Sequence, residues 1–337
     1  MKKVVFLTRS YFPNVGGVEK HIYELSKVLV LQGYKITIIT EENIRRQTID
    51  FDYNIKGVKV IRIPIGKDNW FKKFRIWKWM WENKDLIYKS DIIHCHDVFF
   101  WYLPLAIANP LKNVFTTFHG YESFPIKLKA VVYRKVFEYM SNKTICVGDF
   151  MRKWYHANPT AVIYGGVDLP TKRIKAKKNT AIFIGRLDEH TGIEIYAEAV
   201  GLIRKKIPSF TLTVYGDGPL KEKIKGPGIV LKGYDANADD EIQKYEYAFI
   251  SRYLGILEAM AAKRLVFAHY DNPVKEDYLK MTPYSEWIVP FKSAEELSIK
   301  IQDEEKNTKK INEAYSWVKY QTWEKVTDVY LSLWKYI

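Results

Sequence analysis

The amino-acid sequence predicts an α/β protein built from two doubly wound parallel sheets, on three observations. First, short runs of apolar, often β-branched residues recur along the 337 residues, each beside a segment of helical periodicity. Second, the runs are apolar throughout and do not alternate, which is typical of parallel strands covered on both faces. Third, the runs form two series, separated by a polar, basic stretch at 171–179 that indicates an interdomain linker.

The first series lies within residues 1–170. Its strands are predicted at 3–7, 36–40, 58–63, 91–94, 114–117 and 144–147. A loop and then a helix at 18–31 follow the first strand. In this helix apolar residues recur every three or four positions, and Gly33 stands at its end.

The second series begins near Ala181. Its strands are predicted at 181–184, 211–214, 229–231, 248–250 and 265–268, and its helices include 192–204, 255–262 and 295–302. Doubly wound sheets bind ligands at the carboxyl ends of their strands, so the loops that follow these strands are the candidate sites.

Charge is unevenly spread along a chain of net charge +14. Residues 1–170 carry 26 basic and 15 acidic side chains, against 27 and 24 in the rest. A basic half suggests an anionic partner, which could be nucleic acid, an anionic membrane or a phosphorylated substrate, and a solvated lysine-rich surface is the plain alternative.

Several protein classes are disfavoured by composition. No run of 18 apolar residues is present, and the apolar run at 4–7 is shorter than a signal-peptide core. Cys95 and Cys146 give neither a disulfide framework nor a zinc pattern. We therefore expect a cytoplasmic protein, attached at most peripherally to the inner face of the cell membrane.

A glycine pair, Gly16-Gly17, separates the first strand from its helix. Glycines let a ligand approach the backbone closely, and the helix start offers unpaired N–H groups. The pair is weak on its own, and it lacks the Gly-x-Gly-x-x-Gly fingerprint of dinucleotide binding, which disfavours a dehydrogenase.

An ordered set of motifs along nearly the whole chain resembles the family 4 retaining glycosyltransferases of the group 1 type. The motifs are FLTRSYFPNVGGVE at 6–19, DIIHCHD at 91–97, TTFHG at 116–120, GVD at 166–168, IGRL at 184–187, VYGDGP at 214–219, LEAMAA at 257–262, and a closing helix at 323–336. Each is moderately specific alone, and their order makes the set strong.

The resemblance implies a GT-B architecture, in which two Rossmann-like domains face each other across a cleft. We expect an acceptor-binding domain at 1–165, joined by a C-terminal helix at 320–337, and a donor-binding domain at 166–319. The implied activity is transfer of a sugar from a UDP- or GDP-sugar to a glycan or lipid-linked acceptor, with retention of configuration and without a metal or other cofactor.

The resemblance also assigns roles to residues of this chain. Arg186 and Glu258 are expected to bind the donor's phosphates and ribose and, with His119 near the transferred sugar, to form the catalytic set. The other expected donor-binding residues are Thr191, Leu254 and Gly255. The expected acceptor-binding residues are Gly16, Gly17, Glu19 and His119. A surface ion pair with Asp188 or Glu189 is the alternative role for Arg186.

Two departures from the family pattern favour an alternative, a nucleotide-sugar-binding protein with impaired catalysis. Thr191 stands where the family usually has a lysine, so one phosphate-neutralising charge is missing. Lys275 or His190 could replace it. Ile250 stands where the family usually has a second glutamate, eight residues before Glu258.

Two sequence patterns have the form of a metal site, but in each the residues favour another interpretation. His94 and His96 alternate and would share one face of a strand, but no third ligand follows at a suggestive spacing. The DFD sequence at 50–52 has the form of a metal signature, and chance explains it better in a polar loop.

A basic, aromatic segment at 70–81 is predicted to be a helix capped by the DN pair at 68–69. Tryptophan beside lysine suits a membrane interface, and a buried helix is the alternative. The expected membrane contacts are Trp70, Lys72, Lys73, Trp77, Lys78 and Trp79, extended by Lys127, Lys129, Arg134 and Lys135. No nucleic-acid-reading element is recognisable, so nucleic acid is not an expected partner.

Overall fold

The computed structural model describes residues 1–14, 16–42, 57–120, 123–171, 174–302 and 304–335, without the side chains of 304–307. Four parts of the predictions above lie outside this description. They are the DFD sequence at 50–52, Val15 of the glycine loop, the linker residues Lys172 and Arg173, and the end of the closing segment at 336–337.

The chain divides into two compact units. One comprises Met1–Ile163 together with Trp323–Ile337, and the other comprises Tyr164–Thr322. The predicted domain boundaries, after residues 165 and 319, fall two and three residues from these.

The N-terminal unit contains a seven-stranded, fully parallel sheet. Its strands are β1 (Lys3–Thr8), β2 (Lys35–Glu41), β3 (Val58–Ile63), β4 (Ile92–His96), β5 (Val114–Phe118), β6 (Lys143–Val147) and β7 (Ala161–Ile163). Its helices are α1 (Gly17–Leu31), α2 (Lys72–Glu82), α3 (Lys84–Tyr88), α4 (Phe99–Ala108), α5 (Leu128–Met140), α6 (Phe150–Tyr155) and, from the end of the chain, α13 (Trp323–Trp334).

The C-terminal unit contains a six-stranded parallel sheet. Its strands are β8 (Lys177–Ile184), β9 (Thr211–Tyr215), β10 (Ile229–Gly233), β11 (Tyr245–Phe249), β12 (Leu265–His269) and β13 (Val289–Phe291). Its helices are α7 (Ile193–Arg204), α8 (Ala238–Glu241), α9 (Tyr253–Ala261), α10 (Pro273–Lys280), α11 (Ala294–Lys300) and α12 (Glu304–Val318).

Each sheet reverses its strand order once. The orders are β3-β2-β1-β4-β5-β6-β7 and β10-β9-β8-β11-β12-β13. The reversal lies between β1 and β4 in one unit and between β8 and β11 in the other. Loops diverge at such a point and leave a crevice at the carboxyl ends of the strands, which places the candidate site of each unit.

Burial explains why the apolar runs form these strands. All five residues of β4, β5 and β12 are buried, as parallel strands covered on both faces require. In the C-terminal unit Tyr196 of α7 lies at the centre of the core, with its ring stacked on Phe249 and its hydroxyl donating to the carbonyl of Phe267. The predicted fold class, two doubly wound α/β units, is confirmed.

Several predicted boundaries were wrong, among them β11, which begins at Tyr245 and not at Ala248, and α9, which begins at Tyr253 and not at Gly255. Three more bear on the linker and the candidate sites. Residues 177–179 belong to β8 and not to the linker, because the first residues of this strand extend beyond the core and are polar. Strand β4 runs on to His96, which pairs with Thr8 of β1. Helix α2 begins at Lys72 and not at Trp70, because a turn closed by the Lys72 N–H on the Asn69 carbonyl precedes it.

Candidate functional site

In the C-terminal unit, two loops interlock at the carboxyl edge of the sheet. The N–H of Gly185 donates to the carbonyl of Tyr215 and that of Leu187 to the carbonyl of Asp217, at 3.0 Å each. A Cβ on Gly216 (φ +148°) would lie 1.8 Å from the Gly185 oxygen, so only glycine fits here. This contact fixes the backbone on both sides of Arg186.

Arg186 extends from the loop after β8, with 71% of its side chain exposed. Its Nε lies 3.3 Å from Oδ2 of Asp188, which is the alternative pairing expected from the sequence. An exposed pair of this kind contributes about 0–1 kcal/mol. The guanidinium is therefore held loosely enough to exchange Asp188 for a more highly charged ligand.

Thr191 is engaged with its own turn. Its hydroxyl donates to the carbonyl of Asp188 at 2.7 Å. The neighbouring Gly192 is the N-cap of α7 with φ +74°, and a Cβ there would lie 2.3 Å from Nδ1 of His269. The ring of His269 thus covers the start of α7, and the turn does not present the Thr191 hydrogen as a donor. A donor-binding role for Thr191 stays a prediction that this geometry does not favour.

The start of α9 offers backbone N–H donors. Because β11 is next to β8 in the sheet, these donors lie beside the loop that carries Arg186. Leu254 and Gly255 are its second and third residues, and N–H groups in a first turn have no acceptor within the helix. Gly255 packs against Ile250, because a Cβ on the glycine would lie 2.7 Å from Cγ2 of the isoleucine. Glu258 follows in the second turn and is partly exposed.

Ser251 ties three other elements to the start of α9. Its Oγ lies 2.9 Å from the hydroxyl of Tyr196 on α7 and 3.1 Å from the backbone nitrogen of His269 at the end of β12. Its carbonyl accepts from Nζ of Lys275 on α10 at 2.5 Å. Sequence reasoning missed Ser251, since nothing in the local pattern indicates these partners.

In the N-terminal unit, four histidines gather at the corresponding edge of the sheet. His94 and His96 come from β4, His119 follows β5, and His21 lies on α1. Nδ1 of His96 lies 2.8 Å from Nε2 of His119, and the rings of His21 and His119 are 5.0 Å apart. The two predicted neighbours on β4 therefore share one face, and His119 joins them.

Helix α13 supplies the remaining partners of this cluster. The hydroxyl oxygen of Tyr330 lies 2.9 Å from Nε2 of His21 and 3.0 Å from Oγ1 of Thr117. The indole of Trp334 donates to Nδ1 of His94 at 3.2 Å, so the neutral ring of His94 carries its hydrogen on Nε2, 2.7 Å from Thr117.

Burial keeps these rings neutral. It lowers the pKa of His21, His94 and His96 well below the ordinary value, with smaller contributions from neighbouring histidines. It lowers the pKa of His119 to about 3, aided by the positive charge of Arg134. Near pH 7 the cluster can therefore exchange hydrogen bonds with a ligand but offers no imidazolium.

The backbone of His119 is clamped from two sides. Its N–H donates to Oδ1 of Asp97 at 2.9 Å, and Asp97 itself is left-handed (φ +62°). Arg134 donates to the carbonyl of the next residue, Gly120, while its guanidinium stacks over Tyr155 at 4.0 Å. Arg134 is buried and so does not belong to the surface patch that the sequence suggested.

The glycine pair begins α1 near this cluster. Gly16 precedes the helix and Gly17 is its first residue. The carboxylate of Glu19 folds back over Gly16, since a Cβ there would lie 2.5 Å from its Oε2. Gly16, Gly17 and Glu19 stay predictions for the acceptor site.

The metal interpretation finds no geometric support within the described ranges. No three histidine, cysteine or carboxylate side chains there are arranged to hold an ion. Both ring nitrogens of His94 are already hydrogen-bonded.

The predicted membrane contacts separate into two groups. Trp70 and Lys78 are exposed, and Lys73 lies with its Nζ 4.7 Å above the Trp70 ring. By contrast, Lys72 is paired with Glu41 at 2.8 Å and is largely buried. Trp77 and Trp79 are half-buried, and the Trp77 indole donates to the carbonyl of Phe100. None of the described helices is both long and apolar enough to cross a membrane.

Two doubly wound units of this topology define a GT-B protein. Family comparison agrees for both units. Residues 15–170 match Glycosyltransferase Family 4, and residues 178–303 match Glycosyl transferases group 1. The chain therefore belongs to the family 4, group 1 glycosyltransferases, as the motifs indicated.

Individual relatives are distant. One human protein, which is part of the phosphatidylinositol N-acetylglucosaminyltransferase, is 25% identical over 62% of this chain and 46% of its own. A probable sucrose-phosphate synthase of Thermosipho melanesiensis is 24% identical over 95% of this chain and 91% of its own. The solved sucrose-phosphate synthase of Thermosynechococcus elongatus superposes with a TM-score of 0.77 at 15% identity, over 99% of this chain and 98% of its own. The chain spans about half the length of the human relative.

Proposed function

We propose that this chain transfers a sugar from a nucleotide-sugar donor to a glycan or lipid-linked acceptor, with retention of configuration and without a bound metal. The observation that carries the proposal is the edge of the C-terminal sheet. There a loosely held arginine, Arg186, follows β8, and the first-turn amides of α9 follow β11. Backbone amides at a helix start and a loosely held guanidinium suit a diphosphate.

Glu258 supports a nucleotide ligand in particular. It lies one turn after the Leu254 and Gly255 amides on α9, so a diphosphate at the amides would leave the ribose within reach of its carboxylate. A carboxylate accepts hydrogen bonds from hydroxyls, as ribose recognition requires. UDP and GDP sugars are the donors we propose.

The acceptor half of the proposal rests on the histidine cluster. His119 is held by Asp97 and Arg134 and has a neutral ring, so it suits hydrogen bonding to sugar hydroxyls. Retention and metal independence rest on the family to which the chain belongs. In that case Arg186 and the α9 amides must stabilise the leaving diphosphate.

The first test is thermal stabilisation by UDP, GDP, ADP and their sugar conjugates, each with and without EDTA. A ligand at 100 times its dissociation constant stabilises the folded state by about 2.7 kcal/mol. We expect one nucleotide to stabilise the chain equally in EDTA, and the effect to be lost in Arg186→Ala and Glu258→Gln. Lys206→Ala, at an exposed lysine just after the C-terminal end of α7, is the matched control. No stabilisation by any nucleotide would overturn the proposal.

A second candidate, a binding protein with impaired catalysis, is favoured by Ile250. This side chain is buried against Gly255, so no carboxylate reaches the donor from that position. Release of free nucleotide from the bound donor, with and without acceptor, separates the two candidates. Turnover supports the retaining enzyme if NMR shows that the anomeric configuration of the product linkage, axial or equatorial, is the same as in the donor sugar. Tight binding without turnover supports the second candidate.

We propose further that the acceptor lies at an anionic membrane, on the basis of two exposed apolar faces in the N-terminal unit. On and just before α2, Trp70, Phe71, Phe74 and Trp81 are exposed while Ile76 and Met80 pack inward. On α5, exposed Leu128, Val132 and Val136 form an i, i+4 stripe. Both helices pack against α4.

Lysines border both faces, as interfacial helices require. Lys73 and Lys78 belong to α2, and Lys127 and Lys129 lie at the start of α5. The human relative is named for a phosphatidylinositol acceptor, which is a lipid. We therefore propose a lipid-linked acceptor over a soluble one.

Vesicle sedimentation tests the membrane proposal. We expect binding to vesicles of phosphatidylcholine with about 30% phosphatidylglycerol, weakened by Trp70→Ser and Phe74→Ser, and by salt. Leu31→Ser changes an apolar residue at the end of α1 that is more exposed than Trp70 or Phe74, and it should have no effect. Equal binding by all variants, or none by the unaltered chain, would contradict it.

A further inference from the structure

Within the described part of the C-terminal unit, one lysine is buried without a carboxylate partner. Lys275 on α10 is 3% exposed, and it is the one buried lysine among the described residues. Its Nζ donates to the carbonyl of Ser251, and no carboxylate of the described chain pairs with it. A buried ammonium is normally paired, because its desolvation is costly. The described chain therefore does not supply the anion that this position calls for.

The Nζ atom of Lys275 lies directly beside the start of α9. It stands 4.4 Å above the ring of Tyr278. That ring stacks on Tyr253, the first residue of α9, at 3.8 Å and 6° between planes, and its hydroxyl accepts the Tyr253 N–H at 3.0 Å. Ser251, which receives the Nζ hydrogen bond, precedes α9 by two residues. Lys275 thus contacts the support of the helix whose amides are the proposed diphosphate site.

Burial, and after it a neighbouring positive charge, disfavours a proton on Lys275. Burial lowers its pKa well below the ordinary lysine value, and the positive charge of Arg252 lowers it further, while Asp271 acts in the opposite sense. His269 also faces it, and its own pKa is lowered by burial above all, with Lys275 contributing. A dianionic ligand at the start of α9 would reverse this balance.

We infer that Lys275 supplies the positive charge that Thr191 does not, by taking up a proton from solvent when the donor diphosphate binds at the start of α9. The neutral amine and the ammonium can both donate to Ser251, so the proton adds charge without moving the side chain. Lys275 is then a positioning and charge-compensating residue, acting beside the diphosphate through Ser251 and the first turn of α9. This inference rests on the proposed function.

Proton uptake distinguishes this role from a structural one. The diphosphate of a nucleotide sugar has no group that titrates near pH 8, so a proton taken up on binding must go to the protein. We would measure calorimetric binding of UDP-glucose, and of GDP-mannose, at pH 8.0 in buffers of different ionisation enthalpy. The dependence of the heat on the buffer gives the number of protons taken up.

We expect the unaltered chain to take up a proton, and Lys275→Met to bind about tenfold more weakly with no uptake, as the loss of a charge-assisted interaction implies. Lys275→Gln is the second variant should the first be unstable. Thr191→Lys in the Lys275→Met background should restore affinity but not uptake. Lys280→Ala, exposed on the same helix and paired with Glu276, should change neither.

The outcomes separate the two proposals. Binding without proton uptake, or unchanged uptake and affinity in Lys275→Met, overturns this inference and leaves the proposed function standing. Binding of neither nucleotide sugar by the unaltered chain overturns both.

Discussion

The hydroxyl of Tyr330 lies 2.9 Å from Nε2 of His21, although 309 residues separate them in sequence. The same hydroxyl lies 3.0 Å from Oγ1 of Thr117, which in turn bonds His94. All of these groups are buried. The last helix of the chain therefore completes the hydrogen bonding of the N-terminal unit's histidine cluster.

Removing this hydroxyl should destabilise the N-terminal unit. Tyr330→Phe removes the partner of the buried Nε2 of His21, while Thr117 keeps its hydrogen bond with His94. A buried polar group left without a partner costs about 1–3 kcal/mol. Urea unfolding followed by tryptophan fluorescence measures the change. Tyr139→Phe removes a hydroxyl from an exposed tyrosine of the same unit and should have almost no effect. Equal midpoints for the two variants would show that the Tyr330 hydroxyl does not contribute.

Stability should fall on acidification because of the same cluster. Each of the four histidines has a folded-state pKa below its unfolded value near 6.5, so the unfolded chain binds more protons. The free energy of unfolding therefore rises with pH up to about 6.5 and then levels off. Between about pH 4 and 6, His119, whose pKa is lowered to about 3, contributes a slope of up to about 1.4 kcal/mol per pH unit, and the other three histidines act in the same direction.

Urea titrations at pH 4.5, 5.5, 6.5 and 7.5 check this slope. His119→Gln removes the histidine whose pKa is lowered to about 3 and should reduce the slope by about 1.4 kcal/mol per pH unit. A stability that is flat from pH 4.5 to 6.5 would contradict the neutral cluster.

Two glycines of the C-terminal unit should respond to alanine with opposite signs. Gly216→Ala places a Cβ against the Gly185 carbonyl in a left-handed conformation, so we expect a loss of more than about 2 kcal/mol. Gly201 lies within α7 with open space around it, so Gly201→Ala should stabilise by about 0.5–1 kcal/mol. Thermal unfolding of both variants measures the difference, and a tolerated Gly216→Ala would mean that the interlocked loops can separate.

Sequence reasoning located most of the strands because burial on both faces makes parallel strands uniformly apolar. It missed β7 and β13, which are three-residue strands at sheet edges, and β13 contains Pro290. Such strands are too short to show a period, and proline is tolerated only at an edge. It also misplaced the start of β8, whose first residues are polar because they extend beyond the core.

Only some residues of the candidate sites could be predicted from the sequence. His119, Arg186 and Glu258 were predicted from motifs, the first two just after a strand and the third on the helix that follows one. Tyr330 and Ser251 do not, since their partners come from elements that only tertiary folding brings together. Lys275 was one of two candidates for the missing charge, and its burial against Ser251 is visible only in the structure.

Because Ile250 packs on Gly255, we expect the effects of substitutions at these two positions on the free energy of unfolding to be coupled. Gly255→Ala puts a Cβ 2.7 Å from Cγ2 of Ile250, and since Gly255 has no left-handed backbone the cost comes from this contact. Ile250→Ala alone removes buried apolar volume and should destabilise by about 2–5 kcal/mol. In the double variant the new methyl occupies part of the space vacated, so the combined loss should be smaller than the sum of the two by at least about 1 kcal/mol. Unfolding free energies of the four chains give this coupling, and simple additivity would show that the start of α9 does not depend on Ile250.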